Sequence, residues 1–373
     1  MSSGTYPELP VIVVGLGAMG SATAYQLAKR GVRVIGIDRY RPPHTEGSHC
    51  GETRITRKAI GEGEAYVPLV LRSYDLWREI EEATGESLLE VTGGLWISST
   101  KPRAETHVAN FFANTVAAAR RFGIAHELLD ASAIRRRFPV FKVRDDEHAY
   151  FEPEAGFLRA EACVRAQLEL ALRFGAELKL DERVERISQA GNEVRVVTER
   201  GEYIASQAVI CAGAGAIDLL PPEMSRLLTA TRQVQYWFEA KGHEELPVWI
   251  WELQNREHGI YGFPSRNGLA KIATEAFTGG LDASYVRDEL VAPNIEGIGR
   301  CVKTVPCLYT ATPDFHFLID RHPSMDRVIV ASPCSGHGFK HSAAIGEALA
   351  QRIGEGRSAI DLSPFALSRF AAP

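Results

Sequence analysis

Two stretches near the start of the chain hold residues whose types and spacing could do chemistry. Gly15-Leu16-Gly17-Ala18-Met19-Gly20 fits the pattern G-x-G-x-x-G. In that pattern the first glycine allows a tight turn, the second lets a pyrophosphate approach the backbone, and the third lets helix and strand pack closely. The preceding run VIVV (11–14) is β-rich and does not alternate, as expected of a strand buried on both faces. The following SATAYQLAKRG reads as a helix closed at Gly31, where a C-terminal cap belongs. Its N-terminus would present free N–H groups to phosphates. VRVIGID (32–38) is a second strand ending in Asp38, whose carboxylate can accept bonds from ribose hydroxyls. Together these make a dinucleotide site, with Gly15, Gly17, Ala18, Met19, Gly20, Asp38 and Arg39 around the ligand. The motif alone does not choose NAD or FAD. The second stretch, GSHCGETRITRKAIGEGEAYVPL (47–69), is polar, glycine-rich and carries Arg54 and Arg57. An ordinary crossover would not need such a loop, although solvated surface arginines are the plainer alternative.

These residues need elements to position them, and 373 residues suffice for two domains. The hydrophobic share of 45% and charged share of 24% fit a globular enzyme. A net charge of −5 provides no basic surface and argues against nucleic acid as partner. No apolar run reaches membrane-spanning length, and MSSGTYPELP does not read as a secretory leader. Six scattered cysteines suit a reducing cytoplasm better than a disulfide framework. His44, His49 and Cys50 match no usual ligand spacing, so no metal is expected.

The segment 184–216 reads as hairpin strands followed by a buried strand and a Gly/Ala turn. The segment 327–353 reads as strand, glycine turn and helix. GGLWISS (93–99), RQVQYWFE (232–239) and PVWIW (247–251) carry strand formers and are expected in an antiparallel sheet over the ligand. The predicted class is α/β (α+β overall). A discontinuous Rossmann-like nucleotide domain (1–90, 151–225 and 315–373) is interrupted by an antiparallel-sheet substrate domain (91–150 and 226–314).

Four blocks in order, PPHTEGSHCGETRITR (42–57), YGFPS (261–265), CLYTATPDFHFLID (307–320) and SGHGFKHS (335–342), resemble the monomeric sarcosine oxidase and N-methyltryptophan oxidase family of FAD amine oxidases. The resemblance covers nearly the whole chain. It implies FAD held covalently, as a thioether from the Cys307 sulfur to the flavin 8α-carbon. By itself Cys307 reads as a buried thiol; the attacking form would be a thiolate, favoured by nearby cations. Gly336, His337, Gly338, Phe339 and Lys340 resemble a flavin-binding segment. Ser48, Thr53, Val184 and Tyr309 are further cofactor neighbours, and Arg54 corresponds to an arginine beside the flavin ring.

By the same resemblance, Arg57 and Lys340 clamp the substrate carboxylate, which suits a planar fork and a point charge. Lys271 corresponds to the lysine that activates oxygen, and Tyr261 to an active-site tyrosine. The implied reaction passes hydride from the carbon beside a neutral secondary amine to flavin N5. It yields an imine and hydrogen peroxide, with dioxygen as the second substrate and the chain a monomer. Three positions depart from the sarcosine-oxidising pattern: Glu275 and Cys50 each replace a histidine, and Ile60 replaces a tyrosine. All three are expected where selectivity is set, so the amine is left open. Glu275 could face a second cationic group on a larger substrate or be a solvated strand acid. A dehydrogenase passing electrons to a quinone or carrier, or a non-catalytic FAD- or NAD-binding module, are the alternative functions.

Overall fold

The computed structural model describes residues 9–104, 106–276 and 279–371. Of MSSGTYPELP, only Leu9 and Pro10 fall within the described residues. The first strand, Val11–Val14, lies inside a six-stranded sheet. It pairs in parallel with Val34–Ile37 on one side and Gln207–Ile210 on the other. Glu177–Lys179 extends the sheet beyond Val34–Ile37, and Met325–Ser332 beyond Gln207–Ile210. The antiparallel strand Leu318–His322 closes one edge.

Burial on both faces explains the unalternating sequence. Val11 and Val13 pack with the helices Ala18–Lys29, Ala160–Arg173 and Ser342–Glu355. Ile12 and Val14 pack the other way, with Val194 and Val196 of a separate three-stranded antiparallel sheet, Val184–Ala190, Glu193–Thr198 and Gly201–Ala205. Full burial of each such side chain contributes roughly 1.5–3 kcal/mol. The helix expected after the glycine turn ends as read: Gly31 has φ +76° and its N–H meets Ala28 O at 2.9 Å.

The three strand-forming runs all enter one eight-stranded sheet. It is antiparallel except at one joint, where Val248–Trp251 lies parallel to Gly94–Ser99. Thr229–Ala240 pairs with the long strand Ile298–Ala311, which carries Cys307, and with Leu269–Thr274, which carries Lys271. Thr53–Thr56 forms a small sheet with Gly156–Arg159 and Leu89–Val91, fixing the two-arginine segment. No helix among the described residues is long and apolar enough to cross a membrane.

Candidate functional site

One cavity of about 580 Å³ runs between the six-stranded and eight-stranded sheets. Every site residue expected from the sequence lines it, except Gly20. Gly20 stands behind the wall, where a Cβ would collide with the backbone of Gly15.

The first end is built from backbone. Gly15 has φ +84°, and a Cβ there would come within 2.7 Å of Ala212 Cα and Cys211 O. The turn it makes aims the N-terminus of Ala18–Lys29 into the cavity, with Gly17 as a cap that offers no side chain to the free N–H groups. Asp38 takes Leu16 N–H at 2.7 Å and Tyr40 N–H at 2.8 Å, so backbone donors hold its carboxylate at the strand end. Arg39 donates to Tyr40 Oη at 2.7 Å, and Val184 closes the same end. His49 accepts His44 N–H at 3.1 Å, and its ring packs against Gly17.

The other end is built from ionised side chains. Arg54 donates to the carbonyls of Thr53, Ser48 and Cys50 at 2.7, 2.8 and 2.5 Å. Those bonds fix its guanidinium 3.5 Å from Cys307 Sγ. Cys307 is 4% exposed and also lies 3.6 Å from Ser48 O. A hydrogen bond from the Cys50 thiol, helped by the Arg54 and Lys271 charges, overcomes burial and lowers the Cys307 pKa to about 6. Cys50 moves the opposite way, its proton retained chiefly by that same bond and by burial. The pair therefore carries its negative charge on Cys307.

Lys271 is buried and donates to Gly51 O at 2.7 Å and Thr53 O at 2.6 Å. Burial, then the Arg54 charge, push its pKa well below the ordinary lysine range. Tyr261 and Tyr309 bring their hydroxyls to 3.4 Å. Burial raises both, Tyr261 to about 12, so they stand as neutral groups. Gly336, at φ +82°, lies so close to the Tyr309 ring that a Cβ would sit 2.8 Å from it. Glycine at the head of the GHGFK segment thus answers both backbone and space.

Arg57 and Lys340 do converge, and a carboxylate already joins them. Arg57 Nη2 meets Glu62 Oε2 at 2.5 Å, and Lys340 Nζ meets Glu62 Oε1 at 3.4 Å. His337 Nδ1 lies 3.7 Å from the same oxygen. Glu62 is 3% exposed, yet the charges of Arg57 and then Lys340 outweigh desolvation and hold its pKa well below normal. Burial lowers Lys340 to about 8 against the pull of Glu62. The sequence reading missed Glu62, although it stands in the polar block already singled out. Its spacing of five from Arg57 carries no recognisable signal.

The three departures separate. Ile60 is fully buried in the core of the six-stranded sheet's helices, and Cys50 stands behind the wall with its sulfur 3.6 Å from Pro306 O. Neither lines the cavity, so the expectation that all three set selectivity fails on position for these two. Glu275 does line it. It sits just beyond the strand Leu269–Thr274 rather than within it, and its Oε2 lies 3.4 Å from Nδ1 of His107, another residue the sequence did not flag.

The residues fit a flavin dinucleotide. The glycine cradle admits backbone approach at one end, and the thiolate and its cations lie at the other. Buried Arg57 Nε, Gln233 Nε2 and Gln235 Oε1, on residues lining the cavity, have no hydrogen-bond partner among the described residues. Such atoms are costly unless a ligand or water meets them.

Residues 10–352 match the family described as FAD dependent oxidoreductase. Monomeric sarcosine oxidase of Streptomyces avermitilis is 39% identical over 388 residues, spanning 98% of this chain and 99% of the relative. N-methyl-L-tryptophan oxidase of Yersinia pestis is 35% identical over 380 residues, spanning 97% and 100%. Among solved structures, the open form of NikD, an unusual amino acid oxidase essential for nikkomycin biosynthesis, superposes with TM-score 0.82 at 24% identity. That match covers 96% of this chain and 97% of NikD, and supports the fold alone. Sequence family and geometry agree: the chain belongs to the FAD-dependent oxidoreductases, in the group that contains monomeric sarcosine oxidase and N-methyl-L-tryptophan oxidase.

Proposed function

We propose that this chain oxidises a secondary amine bearing a carboxylate, an N-methyl or cyclic amino acid, to its imine, with dioxygen reduced to hydrogen peroxide and FAD bound covalently through Cys307. The observation that carries this reading is one cavity holding the Cys307 sulfur beside a fixed guanidinium and, in the same wall, the Arg57–Glu62–Lys340 cluster. FAD, when bound, supplies hydride acceptance and electron transfer to dioxygen. The rest of the chemistry is positioning and charge.

Arg57 and Lys340 bind the substrate carboxylate. Two cations against one buried carboxylate leave the cluster one positive charge in excess, which one substrate carboxylate neutralises. Because Glu62 already holds Arg57 Nη2, the incoming group meets the remaining guanidinium donors, including the unpartnered Nε. Tyr261 and Tyr309 offer neutral hydroxyls beside a reacting amine that must itself lose its proton. Lys271, anchored by two carbonyls, is assigned to dioxygen, where its N–H donors meet the negative charge that develops on oxygen. The Cys50 thiol, and then Arg54, favour the Cys307 thiolate needed for attachment. In this reading residues 1–90, 151–225 and 315–373 bind the cofactor, while 91–150 and 226–314 form the substrate domain. The chain works as a monomer in the cytoplasm, in keeping with six free cysteines.

Two measurements test this reading. Acid-precipitated protein should stay yellow and the Cys307→Ala variant should release its colour; free flavin from the unmodified chain would end the covalent assignment. N-methyl and cyclic amino acids should give amine-dependent peroxide. Dye reduction without peroxide would instead mark a dehydrogenase.

A further inference from the structure

Three carboxylates or their surrogates are associated with the reacting end of the cavity, and only one is placed to meet a ligand side chain. Cys307 is committed to the cofactor in the reading above. Glu62 is held by Arg57 and Lys340 and its side chain is 1% exposed. The Glu275 side chain is 22% exposed and lines the cavity together with Lys340 and Tyr261. Its Oε2 is oriented by His107 Nδ1, whose ring stacks on that of His337 at 5.3 Å. A neutral imidazole that carries its proton on Nδ1 donates that bond, so the pairing positions the carboxylate without requiring that its charge be cancelled.

A substrate carboxylate bound at Arg57 and Lys340 brings negative charge into a cavity that also contains Glu275. The cluster's one excess positive charge is then taken up by that carboxylate, which leaves Glu275 to attract a cation on the ligand. The reacting amine cannot serve, because it must be neutral to give up hydride. The cation must therefore lie elsewhere on the substrate.

We propose that Glu275, oriented by His107, is the specificity-determining residue of this site and selects N-alkylated amino acids whose side chain ends in an ammonium or guanidinium group. The assignment rests on the amine-oxidase reading. It also accounts for the departures: of Cys50, Ile60 and Glu275, only Glu275 borders the cavity.

The holoenzyme decides it in two arms. In turnover, kcat/KM for Nα-methyl-L-lysine should exceed that for neutral Nα-methyl-L-norleucine by roughly tenfold or more, with Nα-methyl-L-glutamate poorest. Glu275→Gln should collapse the lysine-to-norleucine ratio through KM, and Glu275→Lys should turn the preference toward the glutamate derivative. In binding, followed by the flavin absorbance, 6-aminohexanoate should bind more tightly than hexanoate, and adipate least well. The flavin spectrum of each variant reports intact folding. Oxidation of all three amines with a ratio unmoved by Glu275→Gln overturns the assignment and leaves the amine-oxidase reading standing. Tail preference in binding without turnover of any amine supports the assignment and removes the oxidase reading. A pH profile shifted by Glu275→Gln for the neutral substrate as much as for the cationic one would place Glu275 at the reacting amine, and the proposal would be wrong.

Discussion

The two ends of the cavity hold a ligand by opposite means. The glycine end uses main-chain N–H groups, a helix terminus and one carboxylate fixed by backbone donors, all within residues 15–40. The reacting end uses Arg54, Arg57, Glu62, Lys271, Cys307 and Lys340, drawn from four distant segments and mutually adjusted in charge. A backbone site depends on shape, so side chains matter there mainly when they take up space. A charge cluster depends on balance, so removing one member alters all the others. Substitutions should therefore be close to all-or-none at the first end and graded at the second.

The largest effect should come from Gly20→Val. Its Cβ would meet the Gly15 backbone, which has no flexible end to move aside. We expect a protein that is insoluble or recovered without flavin. Normal flavin content and melting temperature would show that the turn can shift, breaking the contrast between the two ends.

Next is Arg57→Ala. It removes a charged donor from the clamp and leaves Glu62 facing Lys340 and His337 only. Hydrogen bonds to charged groups contribute about 1.5–3 kcal/mol, so the Kd of a simple carboxylate ligand should rise on the order of a hundredfold. Flavin titration measures it, and an unchanged Kd would remove Arg57 from the clamp. Glu62→Gln sharpens the point. Losing the anion should tighten carboxylate binding while the protein loses stability, since two buried cations then lack their partner.

Legibility in the sequence follows the same division. The strand–turn–helix around GLGAMG, its Gly31 cap and Asp38 could be read because they are local and sterically motivated. Cys307 gave no local signal: its reactivity arises from Arg54 and Cys50, some 250 positions earlier, and only family resemblance pointed to it. The parallel joint between Gly94–Ser99 and Val248–Trp251 was unreadable because pairing of distant strands leaves no trace in either segment. Glu62 and His107 were missed because a buried polar partner looks, in sequence, like any surface residue. The opposite error occurred at Ile60 and Cys50, where a change of residue type pointed to the ligand but Ile60 is buried in the core and Cys50 stands behind the wall, next to Cys307.

A smaller, pH-dependent effect should appear at Lys340. Its pKa is lowered to about 8, chiefly by burial, so the ammonium is present below that pH and lost above it. Affinity for a carboxylate that carries no amine should be level below pH 8. It should then fall by up to about tenfold per pH unit above it. Using an amine-free ligand matters because deprotonation of a true substrate would favour the reaction over the same range. A flat profile between pH 7 and 10 would mean that Arg57 alone carries the binding.

The smallest change should be Cys50→Ala in protein prepared without flavin. The Cys307 thiolate owes its low pKa first to the Cys50 hydrogen bond and then to the Arg54 and Lys271 charges, opposed by burial. Removing the Cys50 donor leaves the cations, so the pKa should rise without reaching the value of an ordinary buried thiol. Alkylation of Cys307 by a neutral reagent should have its midpoint near pH 6 in the parent, and the rate at neutral pH should drop several-fold in the variant as thiolate is lost. Arg54→Gln should move the same midpoint upward while leaving Cys50 in place. If Cys50→Ala leaves the midpoint where it was, the charge on Cys307 is held by Arg54 and Lys271 alone.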